Sequence, residues 1–332
     1  MLIAGDIGGT NTRLALFSDP GGVRTPAHRR EFPSEKFPGL AEIIRTYLSE
    51  VGQSPTTACF DVAGPVSGGR ARLTNLPWLI DEAVLARDLG LRQVSLINDL
   101  QAVAYAIPRL EENELRVINQ GRPAPHGALA VLAPGTGLGE AFLVWSECGY
   151  VACASEGGHA DFAAVDSLQA ALREHLAEKF GHVSYEHVCA GSAIPRMYEF
   201  LRAREPARER AAFAAKLAAA EDKAPPIVEA ALEATEKNPL ARATLDLYVS
   251  IVGAEAGNLA LKILSTGGLY LAGGMPPRIL SHLLDGRFMR AFTAKGRFAE
   301  LLAAIPVKVV LAEAGLLGAA LYGFDRIGKT QR

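Results

Sequence analysis

The chain has 332 residues, more than one ordinary hydrophobic core organises, so two domains or one large α/β unit is expected. Hydrophobic residues make up 49% and charged residues 21%, the balance of a folded globular chain and not of a disordered one. A formal net charge of −2 excludes bulk attraction to nucleic acid or to an anionic membrane, so any nucleotide must be held by a local site.

Cys59, Cys148, Cys153 and Cys189 provide a single close pair, and no histidine pair completes a zinc set; they read as reduced thiols of a cytosolic protein. The N-terminus has no basic leader, and Asp6 interrupts its apolar start, so no signal peptide is expected. The most apolar long stretch, 251–264, carries Glu255, Asn258 and Lys262, which marks a core helix and not a membrane span. A cytoplasmic protein that binds neither membrane nor nucleic acid is expected.

In chain order, residues 1–5 and 13–17 are short apolar runs joined by a glycine turn, a β-hairpin pattern. A helix is expected over 39–51, with Leu40, Ile43, Ile44, Tyr47 and Leu48 on one face, and a strand over 57–63. Asp81 caps a helix that Gly90 ends. A strand over 94–97 runs into Asn98 and Asp99, where a helix begins; that position suits a cap first and chemistry second. Past Pro108 the pattern restarts with a strand at 128–133, a glycine turn at 135–139 and a strand at 141–145, which suggests a duplicated domain. The Ala- and charge-rich stretch 206–236 reads as two solvated helices broken by Pro225 and Pro226. Asn238 and Pro239 open a long helix to 264, a strand at 269–272 runs into Gly273 and Gly274, and a strand at 307–311 precedes a final helix over 315–327.

Residues 323–330 match the phosphate-loop pattern G-x-x-x-x-G-K-[ST] by letter. That pattern needs a strand before it and a helix opening after it, and here a helix precedes it and two residues follow. It is not expected to bind phosphate.

The tip that runs Gly5, Asp6, Ile7, Gly8, Gly9, Thr10, Asn11 to Arg13 has a different logic. Glycines let backbone N–H groups approach phosphate oxygens with no Cβ in the way. Asp6 is placed to hold Mg²⁺ through water, since Mg²⁺ keeps part of its hydration shell, and Thr10, Asn11 and Arg13 add donors. Alone, such a tip is more often a plain hairpin. The second tip, with Gly135, Thr136 and Gly137, changes that balance, because two glycine tips are able to clamp a polyphosphate from both sides. Neither has the spacing of a dinucleotide fold.

With both tips in hand, the chain resembles the bacterial glucokinase family of the actin/sugar kinase/Hsp70 superfamily. Residues 5–11 match the family's first phosphate motif and 134–139 its second. Residues 271–278, with Gly273 and Gly274, resemble its adenosine motif; 97–100 resemble its catalytic segment, and 157–159 after Glu156, together with 184–186, its sugar-binding segments. Thr74-Asn75 and residues 257–261 also fit.

The resemblance implies two ribonuclease-H-like, actin-like ATPase domains, residues 1–108 plus 313–332 and residues 109–312, with the site in the cleft between them and with roles that chemistry supports. Asp99 is implied as the base toward the 6-hydroxyl of glucose. Asn98, Glu156, His159 and Glu186 are implied as hydroxyl-binding residues, with Asn75 either reaching the sugar or bracing its loop. ATP and Mg²⁺ are the implied cofactors, and a homodimer the implied assembly. The chain departs from the family pattern at Pro134 and at Glu140, which adds negative charge near the polyphosphate if it points inward. Residues 161–165, directly after the sugar-side histidine segment, read Asp-Phe-Ala-Ala-Val with no cysteine, so the zinc motif of the wider repressor/kinase branch is not expected. A kinase for another hexose and a non-catalytic sugar sensor are the competing readings.

Overall fold

In the computed structural model, residues 1–73, 76–205, 209–233 and 237–330 are described. The chain forms two compact units: Met1–Glu111 with Ser146–Ala154 and Ala312–Arg332, and Glu112–Trp145 with Ser155–Leu311.

The first unit is built on β1 (Leu2–Ile7), β2 (Asn11–Phe17), β3 (Ala27–Pro33) and β4 (Thr57–Val62). A small three-stranded sheet follows, β5 (Val66–Ser67), β6 (Arg70–Arg72) and β7 (Leu79–Asp81), and then β8 (Gln93–Asn98). The main sheet has the order β3-β2-β1-β4-β8. β1 and β2 are the expected hairpin, with Asp6 opposite Arg13. β1 and β4 are parallel and set Asp6 beside Asp61, while β4 and β8 are parallel and set Asp61 beside Ile97.

Alternation along β1 explains why this sheet is covered on both faces. Ile3 and Ile7 pack on one side with Ile43, Ile44 and Tyr47 of α1 (Leu40–Val51), and Leu2 and Ala4 pack on the other with Ala319 and Ala320 of the C-terminal helix Ala314–Thr330. Fully burying one such Ile or Leu contributes roughly 1.5–3 kcal/mol. Asp81 caps α2 (Glu82–Leu89) by accepting from the Ala83 and Val84 N–H groups, and Gly90 ends it at φ +66°. α3 (Asp99–Ala106) starts at Asn98, whose side chain accepts from the Gln101 N–H. The edge strand β3 is unannounced in the sequence because six of its seven residues are exposed and show no period-2 pattern.

The second unit carries β9 (Leu115–Asn119), β10 (Leu129–Pro134) and β11 (Leu138–Ser146); β12 (Gly149–Ser155) lies mostly within the stretch that groups with the first unit. β13 (Gly268–Leu271) and β14 (Val307–Val310) complete it, in the order β11-β10-β13-β14-β9. An antiparallel hairpin flanked by two parallel strands appears in each unit, the duplication suggested by the repeated glycine tips.

Its helices are α4 (Ser167–Phe180), α5 (Glu186–Cys189), α6 (Ala193–Arg204), α7 (Ala211–Ala219), α8 (Ala224–Leu232) and α9 (Pro239–Ile263). α9 is the core of the unit, with Leu245, Tyr248, Val249, Ile251, Val252, Ala256 and Ala260 buried in one apolar cluster. Two helices form within 206–236 as expected, and Pro225 and Pro226 sit in the first turn of the second, α8, where N–H groups have no intrahelical acceptor to lose. One expectation is corrected here: α8 buries Pro226, Ile227, Val228, Ala230 and Ala231, so it is a core helix and not a solvated one. Pro239 opens α9 as expected, but the Asn238 side chain makes no capping bond. Among the described residues no helix is long and apolar enough to cross a membrane. The backbone over 323–330 is helical, so the phosphate-loop look-alike lacks the strand it would need.

Candidate active site

The first glycine tip is closed by the Gly8 N–H donating to Asn11 O at 3.0 Å. Ser34 braces it from below: its Oγ donates to Gly8 O at 2.8 Å and lies 3.0 Å from Thr12 Oγ1, and its N–H donates to Thr10 O at 2.8 Å. The tip backbone is therefore fixed before any ligand arrives. Ile7 is buried, so only its backbone is offered to the site. Arg13 donates to Asp6 Oδ2 through Nη1 and to Glu31 Oε2 through Nε, both at 3.2 Å, which places its guanidinium between two carboxylates.

Beside Asp6 lies a carboxyl that reading the sequence missed. Asp61 is 1% exposed, and neither of its oxygens has a donor in reach among the described residues. Burial pushes its carboxyl well above the usual range, and the Asp6 and Asp99 charges add to the effect. Burial also raises Asp6, against the pull of Arg13. A Cβ on Gly315 would lie 3.6 Å from Asp61 Oδ2 and 3.9 Å from Asp6 Cγ, so the start of the C-terminal helix faces both carboxyls. Hard carboxylate oxygens beside a phosphate-type tip fit Mg²⁺, which binds through one or two carboxylates plus water and phosphate.

At the β8–α3 junction Asn98 Nδ2 donates to Asp99 Oδ1 at 2.9 Å and to Gly64 O at 3.1 Å, while Asn98 Oδ1 accepts from the Gln101 N–H at 3.1 Å. The Leu100 N–H also donates to Asp99 Oδ1, at 2.8 Å. Asn98 is thus both the helix cap and the group that orients Asp99.

In the second unit the Gly135 N–H donates to Gly137 O at 2.9 Å and closes the second tip, with Thr136 exposed at its apex. Glu186, the first residue of α5, accepts the Leu138 N–H on Oε2 at 3.0 Å. A Cβ on Gly137 would sit 2.5 Å from that oxygen, and one on Gly158 would sit 2.2 Å from Leu138 O, so both positions need glycine for close approach. Glu156 and His159 flank Gly157 and Gly158 with their side chains exposed and His159 Nε2 4.0 Å from Glu156 Oε2. Gly273, at φ +81°, brings the end of β13 against Pro134 O, and Gly274 precedes the short helix Met275–Arg278. His182 pairs with Asp161 at 2.8 Å and His187 stacks on Phe180, which gives these two histidines structural partners. Asn75 lies outside the described residues.

A family model described as Glucokinase matches residues 3–325. The chain belongs to the glucokinase family. Glucokinase of Nostoc punctiforme is 40% identical over 337 residues, 97% of this chain and 98% of that one. A crystal structure of glucokinase from an Antarctic psychrotroph superposes with a TM-score of 0.82 at 34% identity, covering 98% of each chain. A ROK family glucokinase from Streptomyces griseus, solved with glucose and AMPPNP, shares the fold with a TM-score of 0.65 at 19% identity, covering 98% of this chain and 99% of that one. The fold is α/β of the actin-like ATPase kind, and the activity is that of a glucose kinase.

Glu140, a departure from the glucokinase pattern whose orientation the sequence left open, is 2% exposed and faces Glu255 of α9. β11 begins at Leu138, earlier than its apolar run suggests, and period-2 alternation carries Glu140 to the buried side with Leu138.

Proposed function

We propose that the glucokinase reaction of this chain, transfer of the γ-phosphoryl group of ATP to the 6-hydroxyl of glucose, uses Asp99 as its general base. Asp99 takes the hydroxyl proton as the oxygen attacks the γ-phosphorus, giving glucose 6-phosphate and ADP. The observation that supports this is the pinning of Asp99 Oδ1 by Asn98 Nδ2 and the Leu100 N–H. A carboxylate held at one oxygen does not swing away, and positioning is most of what phosphoryl transfer asks of a protein.

Glu156, His159 and Glu186 hold the remaining sugar hydroxyls, Glu186 through Oε1 because Oε2 serves the Leu138 N–H. Asn98 acts through Asp99, and Asn75 stays a candidate on the sugar side. The backbones of residues 5–11 and 135–137 hold the ATP phosphates, with Thr10, Asn11, Arg13 and Thr136 as polar partners, and Gly273 and Gly274 pass beside the adenosine. Asp6 would hold Mg²⁺ through water, and the ion would supply charge neutralisation to the phosphates there. Two copies of the chain pair as a homodimer, which light scattering on the purified protein tests.

A coupled assay for glucose 6-phosphate on wild type, Asp99→Asn and Asp99→Ala tests the central role. The expected loss in kcat is roughly 10²–10⁴-fold, with glucose binding retained. Near-normal turnover in either variant would remove Asp99 from the role. A hexose panel run on the wild type, with a higher kcat/KM for any sugar other than glucose, would overturn the substrate.

A further inference from the structure

Beneath the sugar-side segment lies a carboxyl pair that the reaction as described does not use. Glu140 of β11 and Glu255 of α9 are 2% and 0% exposed, and each keeps one oxygen, Oε1, with no hydrogen-bond partner among the described residues. The polar groups around them serve Glu255. Asn258 Nδ2 donates to Glu255 Oε2 at 2.8 Å, and Lys262 Nζ stands 3.6 Å from Glu255 Oε1. Lys295 Nζ donates to Asn258 Oδ1 at 2.6 Å, and Asn258 Nδ2 lies 2.8 Å from Tyr185 Oη. Among the described residues Glu140 has no ion pair of its own.

Glu140, buried beside Glu255 with no ion pair of its own among the described residues, does not ionise readily. Burial first, and then the Glu255 charge, push the Glu140 carboxyl up to about 7, while Lys262 pulls the other way. The other titratable groups facing the pair are Tyr185 and Cys189, both raised by burial and so neutral, and Lys295, lowered by burial. The second Glu140 oxygen faces the opposite direction in function: a Cβ on Gly157 would lie 2.0 Å from Oε2. Gly157 stands between Glu156 and His159, so the end of the Glu140 side chain is the floor on which that segment rests.

We propose that Glu140 and Glu255 form a one-proton carboxyl pair that holds residues 156–159 in their sugar-binding shape, so that glucose is held less tightly once the proton is lost. The proton sits on Glu140; its loss leaves a second negative charge beside Glu255, and Glu140, which has no ion pair of its own among the described residues, is the one displaced toward Gly157. Glu140 is a positioning residue, and the inference rests on the reading that Glu156 and His159 hold the sugar.

The test is KM and kcat for glucose between about pH 6.5 and pH 8.5 on wild type, Glu140→Gln, Glu156→Ala and His159→Ala. In the wild type KM rises about tenfold over that range, within the limit of tenfold per pH unit that one linked proton sets. In Glu140→Gln, whose amide donates to Glu255 without titrating, the rise falls below about twofold. A flat wild-type KM, or the same rise in Glu140→Gln, overturns the pair. If Glu156→Ala and His159→Ala leave glucose binding unchanged, the sugar-side reading fails and the pair with it. If those two weaken glucose while Glu140→Gln tracks the wild type, the pair alone fails. Calorimetry of glucose binding in buffers of different ionisation enthalpy needs no variant that folds: near pH 7.5 the wild type takes up a fraction of a proton on binding, and no uptake overturns the proposal.

Discussion

The Leu138 N–H donates to Glu186 Oε2 at 3.0 Å, which joins a residue read as sugar-binding directly to the backbone of the second glycine tip. Gly137 makes the approach possible, since any Cβ there would meet the same oxygen at 2.5 Å. The carboxylate that would receive a sugar hydroxyl on one oxygen thus fixes a phosphate-side N–H with the other.

Separating the two jobs of Glu186 gives the first prediction. Glu186→Gln keeps a carbonyl oxygen for the Leu138 N–H when its amide is suitably turned, but loses the carboxylate toward the sugar. It is expected to raise KM for glucose while leaving KM for ATP within about twofold. Glu186→Ala also orphans the Leu138 N–H, and a lost hydrogen bond to a charged group is worth about 1.5–3 kcal/mol. KM for ATP then rises together with KM for glucose. Steady-state kinetics with each substrate varied in turn checks this, and an ATP effect equal in both variants would contradict it.

Asn98 also divides into separable roles. Its Oδ1 caps α3 and its Nδ2 orients Asp99. Asn98→Asp keeps the capping acceptor and loses the donor to Asp99. Its melting temperature is expected to stay near wild type while kcat falls at least tenfold, roughly the effect of a misplaced catalytic group. Asn98→Ala loses both, so kcat falls and stability drops by about 1 kcal/mol, the usual loss for a cap. Thermal melts alongside the coupled assay separate the two, and an Asn98→Asp enzyme with wild-type kcat would show that Asp99 needs no such support.

Reading the sequence reached the parts whose signals are local. Asp81 and Gly90 bracket α2, and the glycine tips fall between paired strands, because caps and turns are settled by residues adjacent in the chain. Asp61 was out of reach for the opposite reason. It becomes the neighbour of Asp6 only through the parallel pairing of β1 with β4, a register that no residue near either one announces. The signal available was an aspartate in the middle of an apolar strand, which is costly to bury and so asks for a reason. The orientation of Glu140 stayed open because it lies just before the apolar run at 141–145, and only the extension of β11 back to Leu138 gives it a side of the strand. Glu255 was visible as an acid in an apolar helix but served only to argue against a membrane span; its partner lies 115 positions earlier in the chain.

The buried Asp61 carboxyl makes stability depend on pH with a definite sign. Its folded-state pKa is raised from 3.8, so its stabilising contribution is complete below about pH 3.8 and is lost as pH rises toward the folded value. Over that window the native state must keep a proton that the unfolded chain releases, which costs up to ~1.4 kcal/mol per pH unit. Asp61→Asn removes this cost while retaining a donor toward Asp6. In the nucleotide-free protein with a chelator present, the variant is expected to melt at higher temperature than wild type at pH 8. The difference shrinks as pH falls toward 4. An equal gap at both pH values would mean that Asp61 does not titrate with folding.

The two glycines of the sugar-side segment are expected to differ in how they can be rescued. A Cβ on Gly157 meets the end of the Glu140 side chain at 2.0 Å, whereas one on Gly158 meets the Leu138 carbonyl oxygen at 2.2 Å. Overpacking of this kind typically costs about 1–3 kcal/mol, and a side-chain clash is relieved by truncating the side chain while a backbone clash is not. Gly157→Ala and Gly158→Ala should both raise KM for glucose. Adding Glu140→Ala should recover much of the loss in the first and none in the second, with a coupling energy on the order of 1 kcal/mol in the Gly157 cycle and near zero in the Gly158 cycle. Equal rescue in both would place the strain elsewhere than at Glu140, and no rescue in either would mean that the segment does not rest on that side chain.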